Sequence, residues 1–383
     1  MFMPVSAIPR DSFDGRVAIT NALLADTPER YAAIQTSLTE EDVRYKIENF
    51  IGAVPIPLGL CGPIDIAGAN ANGRFIVPMA TLEGTLVASY CRGAKVMNLS
   101  GGCETLVYGD EFLRACRFTT SSLAHSAALI AWCRQNEEEM RRLVLRTSAH
   151  ISRVELSYDC IGCTVVASIG VATGDAMGSN MGSKAAAALC DYVTERSGLV
   201  AAAAIAHPED KKYVARRQKG KRVIARAILE REPLAKVTRA TLEGLATFIN
   251  ESKNVLALHG ANSLNVHAAN GMAAMFQALG QDMAYLGECS HAIVDCRFIG
   301  ADSLEVSVTL PTLIVGTVGG GTGLPAFRAT LSMIDCYGAG KVRRLAEIVG
   351  AVVLAGEISG SAAVCAREFV RAHETMGKNR PRE

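Results

Sequence analysis

Residues 114–206 order their patterns as strand, helix, strand, strand, helix, strand, and few folds accept that order. Arg117-Phe118-Thr119 reads as the end of a strand. From Ser122 to Leu143 apolar residues recur three and four apart beside a glutamate-rich and then arginine-rich face, the spacing of an amphipathic helix. Ile151–Leu156 and Thr164–Val171 are β-branched runs separated by a turn that holds Asp159 and Gly162. Asp175–Arg196 predicts a second helix, opened by a capping aspartate and closed near Gly198, and Leu199–Ala206 a last strand. The order βαββαβ is that of the split βαβ, or ferredoxin-like, unit. It predicts a small domain at 114–206 inserted in a larger one built from residues 1–113 and 207–383.

The flanking pieces must then meet in space. Ala292–Phe298 and Leu304–Leu310, joined at Gly300-Ala301-Asp302, read as an antiparallel pair. Leu82–Asn98 and Asn265–Leu279 read as long buried helices, the second carrying Ala268, Ala269, Ala273 and Ala274, small enough for close packing. A third helix spans Val342 to His373, with an interruption expected near Gly356 and Gly360. The predicted class is α+β: a large mixed domain with a long central helix and the inserted ferredoxin-like unit.

Charge narrows the partners. The 39 Lys and Arg nearly balance 38 Asp and Glu, so the chain lacks the positive excess that coats nucleic acid or a membrane surface, and any basic site must be local. The start shows no basic and apolar leader, and apolar runs such as Leu199–Ala206 and Ile348–Ala355 stop short of the ~20 residues that cross a bilayer. Cysteines lying inside apolar segments read as reduced, buried thiols, which places the expected compartment in the cytoplasm. Cys160-Ile161-Gly162-Cys163 has motif spacing, but it leads into a strand-like run and lacks a helix start or further ligands, so both cysteines read as structural.

Several standard sites are excluded. No Gly-Lys is followed by Ser or Thr, no serine sits in a nucleophile elbow, and no HExxH or strict GxGxxG occurs. Gly316–Gly323 instead places five glycines in eight residues, either a flexible loop or backbone free to approach a phosphate. Gly174, Gly178 and Gly182 stand four apart at a helix start, leaving a bare face for a neighbouring element or for a dinucleotide. Seven cations crowd residues 211–222, as a solvated loop or an anion site. Glu83, Asp282 and His373 carry no meaning singly.

Together these stretches resemble the catalytic portion of the 3-hydroxy-3-methylglutaryl-coenzyme A reductase family. Matching segments stand in family order: Glu48-Asn49-Phe50-Ile51-Gly52, Pro55-Ile56-Pro57-Leu58-Gly59 and Met79-Ala80-Thr81-Leu82-Glu83-Gly84, then Gly174-Asp175-Ala176-Met177-Gly178 and Asp210-Lys211-Lys212. Asn265-Val266-His267-Ala268-Ala269-Asn270, Gly280-Gln281-Asp282, Gly316–Thr322 and Gly356-Glu357 follow. The Thr-Val-Gly-Gly-Gly form resembles the biosynthetic branch without its membrane anchor.

The resemblance implies a four-electron reduction of an acyl-coenzyme A thioester to an alcohol, mevalonate, by NADPH or NADH, with coenzyme A released and no metal. It implies Lys211 opposite the oxyanion, Glu83 as proton donor, Asp282 tuning both, and His373 protonating the departing thiolate. It further implies substrate contacts at Arg92, Lys212, Lys253, His267 and Asn270. Nucleotide contacts would fall at Ser148, Asp175, Met177, Gly178, Asn180, Gly319 and Gly320. The family works as a homodimer with sites at the interface. Three departures stand out: Ala204–Glu209 replaces a Ser-Gly-Asn-Tyr stretch, Tyr213 replaces a proline, and Ala149 replaces an arginine that grips the 2′-phosphate. Two further readings compete: a relative that reduces another acyl-coenzyme A or runs oxidatively with NAD⁺, and a catalytically silent nucleotide sensor, which would not need Glu83, Lys211, Asp282 and His373 together.

Overall fold

The computed structural model describes residues 12–23, 34–206, 219–261 and 263–367. In chain order the first elements are α1 (Phe13–Leu23), α2 (Glu40–Val43), β1 (Leu58–Gly68), β2 (Asn72–Ala80), α3 (Leu86–Leu99) and β3 (Cys103–Thr119). Next come α4 (Leu123–Gln135), α5 (Glu137–Arg146), β4 (Arg153–Ile161), β5 (Thr164–Ala172), α6 (Ser179–Ser197) and β6 (Ala202–Ala206). The chain continues through β7 (Gly220–Glu230), α7 (Arg231–Thr238), α8 (Leu242–Leu258), α9 (Ala268–Ala278) and α10 (Leu286–Cys289). It ends in β8 (Ile293–Phe298), β9 (Ser303–Leu313), α11 (Pro325–Met333) and α12 (Val342–Cys365). The class is mixed α+β.

One strand joins two sheets. Between Glu104 and Glu111 β3 pairs with β7, inside the order β2-β1-β3-β7-β9-β8. From Phe112 onward it pairs with β5, and from Ala115 also with β6, giving the order β6-β3-β5-β4 with every neighbour antiparallel. The changeover falls between Glu111 and Phe112, so the two sheets share a rigid backbone rather than a linker.

Three expected boundaries move. The helix expected over Ser122–Leu143 is two helices, because Asn136 ends α4, its side chain donating to the Trp132 carbonyl at 2.8 Å, and Glu137, Glu138 and Glu139 then favour a fresh N-terminus. Helix α6 starts at Ser179 rather than Asp175, since Gly178 at φ 102° caps it in the left-handed region. The break expected near Gly356 and Gly360 is absent, and α12 runs unbroken for 24 residues.

Its glycines serve contact instead. A side chain at Gly93 of α3 would strike the Ala355 carbonyl, one at Gly356 the Tyr90 ring, and one at Gly360 would lie 2.6 Å from His267 Nε2. Each glycine costs up to ~1 kcal/mol in helix propensity, a local loss outweighed by packing backbone against ring. With a mean hydropathy of 1.8, α12 is also long and apolar enough to cross a membrane, contrary to the expectation that no run is. Here it is buried from Leu345 to Ala363, walled by α3, α9, β7 and β3.

Candidate active site

A cleft of about 770 Å³ opens where the first turn of α6 faces the loop after β9. Met177, Gly178 and Asn180 line one wall, Val318 to Gly321 the other, and Phe276, Gly280 and Asp282 the floor. Gln281 locks floor to loop: its Oε1 accepts from Gly316 N at 2.9 Å and its Nε2 donates to the Gly316 carbonyl at 3.0 Å. Gly319 and Gly320 take φ 82° and 55°, and space is open where their side chains would be, so backbone rather than side chain faces any ligand.

The bare glycine face of α6 rests on protein. A side chain at Gly178 would run into Thr173 and Phe112 and one at Gly182 into Arg114 and Phe112, and Arg114 itself donates to Ser179 Oγ at 2.9 Å. Asp175 fastens this wall to α12. Its carboxylate accepts from Gly340 N at 2.7 Å, Lys341 N at 3.0 Å and Val342 N at 3.1 Å, while its carbonyl accepts from Thr317 N at 2.9 Å. Burial opposes its ionisation, yet those N–H groups and the Lys221 charge prevail and hold the carboxyl below its usual range. Lys221, itself pulled down by burial against the opposing pull of Asp110 and Asp175, donates to the Gly174 carbonyl at 2.8 Å.

A second cluster surrounds the 356–361 stretch of α12. Arg92 donates to Ser359 Oγ at 2.9 Å and to the Ser359 carbonyl at 2.8 Å. Glu357 is buried and accepts from Val266 N at 2.7 Å and His267 N at 2.9 Å. Burial raises its carboxyl, opposed by the nearby His267 and these donors. His267 Nε2 lies 2.7 Å from the Gly356 carbonyl and its ring stands edge-on to Tyr90. Lys253 shares a small pocket with Glu357 and Ser361 but donates to Asp295 at 2.6 Å. His267 caps the start of α9, whose last turn reaches the cleft through Phe276, so the two clusters lie about 14 Å apart along that helix.

The remaining candidates distribute as follows. Asp282 lines the cleft, exposed, with Oδ1 accepting from Ala284 N at 2.9 Å. Glu83 stands exposed on the β2–α3 connection, its N–H donating to Thr81 Oγ1. Asn270 is exposed in the first turn of α9. Ser148 Oγ lies 3.2 Å from Met181 Sδ, beside the cleft wall. Lys211, Lys212 and His373 lie outside the described residues, as does most of the cationic cluster. The described part of that cluster is not a solvated loop: Lys219 pairs with Glu288, Lys221 with Asp110 and Arg222 with Glu111. Gln281, Glu357, Ser359 and Tyr90 were not singled out from sequence. Gln281 and Glu357 lay inside quoted motifs, the one signal that marks them. All twelve cysteines are free, and a hydrogen bond from Cys61 outweighs burial to bring the Cys91 thiol down to about 6.

Comparison with known proteins places this architecture. A family model described as hydroxymethylglutaryl-coenzyme A reductase matches residues 13–378. A 3-hydroxy-3-methylglutaryl-coenzyme A reductase of Aeropyrum pernix is 39% identical over 346 residues, covering 87% of this chain and 82% of the relative. One from Methanocaldococcus jannaschii is 36% identical over 355 residues, covering 89% and 87%. Among solved structures, a class II reductase of Streptococcus pneumoniae bound to NADPH in open conformations superposes with a TM-score of 0.69 at 18% identity, over 94% of this chain and 100% of that one.

Proposed function

The chain belongs to the hydroxymethylglutaryl-coenzyme A reductase family and is an oxidoreductase, and from that premise we propose that it reduces 3-hydroxy-3-methylglutaryl-coenzyme A to mevalonate with NADPH, releasing coenzyme A. The observation that carries the reading is the cleft: candidate nucleotide residues Met177, Gly178, Asn180, Gly319 and Gly320, far apart in sequence, converge there with Asp282. Its volume of about 770 Å³ lies in the range that small-molecule and cofactor sites occupy. Glycine backbone on one side and the N-terminus of α6 on the other suit a dinucleotide's phosphates. When bound, the reduced nicotinamide supplies the hydride, and the four-electron reduction takes two in turn, one to the thioester carbonyl and one to the aldehyde left once coenzyme A has departed.

The chain's own groups then manage charge and protons. Hydride addition leaves an oxyanion at the thioester carbonyl, which the Lys211 ammonium would stabilise. Collapse of that oxyanion would expel the coenzyme A thiolate, which His373 would protonate, and Glu83 would donate a proton to the oxygen of the resulting aldehyde as it takes the second hydride, with Asp282 orienting the lysine. Arg92 and His267, held by Ser359 and Glu357, would bind substrate with Lys212, Lys253 and Asn270. We read 114–206 as an inserted ferredoxin-like nucleotide-binding domain; its support is the order β6-β3-β5-β4 and the change of partner along β3. We read the working form as a homodimer with sites at the interface. Support comes from the exposure of Glu83, the separation of the two clusters along α9, and the exposed apolar side chains Tyr45, Val54, Leu58 and Leu82.

One observation favours a second reading, reduction of a different acyl-coenzyme A. Lys253, a candidate for a substrate carboxylate, already holds Asp295 at 2.6 Å. Both readings are tested by incubating the purified chain with 3-hydroxy-3-methylglutaryl-coenzyme A and following nicotinamide absorbance with NADPH and NADH separately. Lys211→Ala should lower turnover by two to three decades, the cost of losing one oxyanion donor, roughly 2.7–4 kcal/mol. Retention of more than about a third of wild-type turnover would overturn the lysine's role.

A further inference from the structure

Lys219 and Glu288 form an ion pair that solvent does not reach. Lys219 Nζ lies 3.1 Å from Glu288 Oε1 and 3.0 Å from Oε2, and both side chains have 0% exposure. A pair like this is a poor device for stability alone, because desolvating two ions costs about what their attraction returns. Its surroundings give it another use. Lys219 immediately precedes β7 and follows the proposed catalytic Lys211 by eight residues, while Glu288 follows Asp282 by six. The neighbouring Cys289 Sγ accepts from Ile314 N at 3.1 Å, tying α10 to the end of β9, from which the glycine loop departs. Lys219 Nζ also stands 5.6 Å from the centroid of Phe112, the ring on which Gly178 and Gly182 of the opposite wall rest.

Three cleft-forming pieces therefore meet at one buried charge pair. We propose that Lys219 and Glu288 are positioning residues for the reaction, setting Asp282 against the nucleotide wall. The inference rests on the functional reading above. It requires the pair to be ionic and directional, since an ammonium against a carboxylate fixes a separation and an angle that two apolar side chains of similar bulk do not.

The test replaces the pair with apolar residues of similar volume, Lys219→Met/Glu288→Met, in the full chain, and measures thermal unfolding beside steady-state reduction of 3-hydroxy-3-methylglutaryl-coenzyme A. The expected result is a Tm at or above wild type, as for other buried pairs so replaced, with kcat lower by about tenfold to a hundredfold and KM for NADPH little changed. A folded double variant with wild-type kcat would overturn the proposal. Should the double variant not fold, Lys219→Arg keeps the charge and shifts its position. A folded Lys219→Arg protein is expected to lose about tenfold or more in kcat, and wild-type turnover there would equally overturn it. Failure of the wild-type chain to reduce the thioester would refute the functional reading itself, whereas an active wild type with an unimpaired variant refutes only the role of the pair.

Discussion

Replacing Asp175 by Asn separates two accounts of the residue that sits at the root of the nucleotide wall. Its carboxylate accepts from Gly340, Lys341 and Val342 at 2.7, 3.0 and 3.1 Å, at the N-terminus of the 24-residue α12, where negative charge is favoured. Hydrogen bonds to a charged acceptor contribute about 1.5–3 kcal/mol each, but three sharing one carboxylate do not add, and asparagine keeps one acceptor oxygen. The expected loss is roughly 2–3 kcal/mol, or about 2.5–4 °C in Tm for a chain of this size. The sign with pH follows from the lowered carboxyl. Burial alone would raise it, but the N–H donors and Lys221 prevail, so the unfolded chain, titrating near ~3.9, takes up its proton first on acidification. The stabilisation is then complete above about pH 4 and is lost as pH falls through the folded value. Wild type and Asp175→Asn should differ in Tm at pH 7 and converge in strong acid, as followed by circular dichroism, with nucleotide affinity by fluorescence as a second reading. An unchanged Tm with weakened NADPH binding would refute the clamp and give the carboxylate to the nucleotide directly.

Two further outcomes are expected. Ala149→Arg should raise the NADPH:NADH ratio of kcat/KM, because Ser148 beside it reaches Met181 at the cleft wall and a guanidinium there would pair with a 2′-phosphate; a shift toward NADH would place that phosphate elsewhere. Gly356→Ala should destabilise by about 1–3 kcal/mol in chemical denaturation, since the new methyl meets the buried Tyr90 ring, which Gly271 confines from a second helix, and an unchanged midpoint would show that ring free to move.

Local rules reached far into this fold and failed where a residue's meaning came from a distant partner. The strands and helices of 114–206 were legible because alternation, helical spacing and turn residues act within a few positions. The break assigned to α12 followed the same local logic, since glycine lowers helix propensity. What that logic omits is Tyr90 and His267, against whose rings Gly356 and Gly360 pack. Gly178 and Gly182 show both sides of the matter at once. Their spacing marks a face that something must touch, and only the fold shows that Phe112 and Arg114 touch it while the adjoining helix end opens to the cleft.

Charge behaves the same way. Counting cations over 211–222 made a basic patch, yet Lys219 and Lys221 are buried, each facing a carboxylate supplied by another strand or helix. For the described cations, Lys219, Lys221 and Arg222, the charge that is real in sequence is paired in space. Asp175 is the sharpest case, because an aspartate before a helix is ordinarily its cap. Here Gly178 caps α6, and the aspartate instead serves α12, the helix that begins at Val342. A carboxylate goes to whichever unsatisfied N–H groups the fold brings near, and the first turn of α12 offers Asp175 three of them, while the left-handed Gly178 already stands at the start of α6.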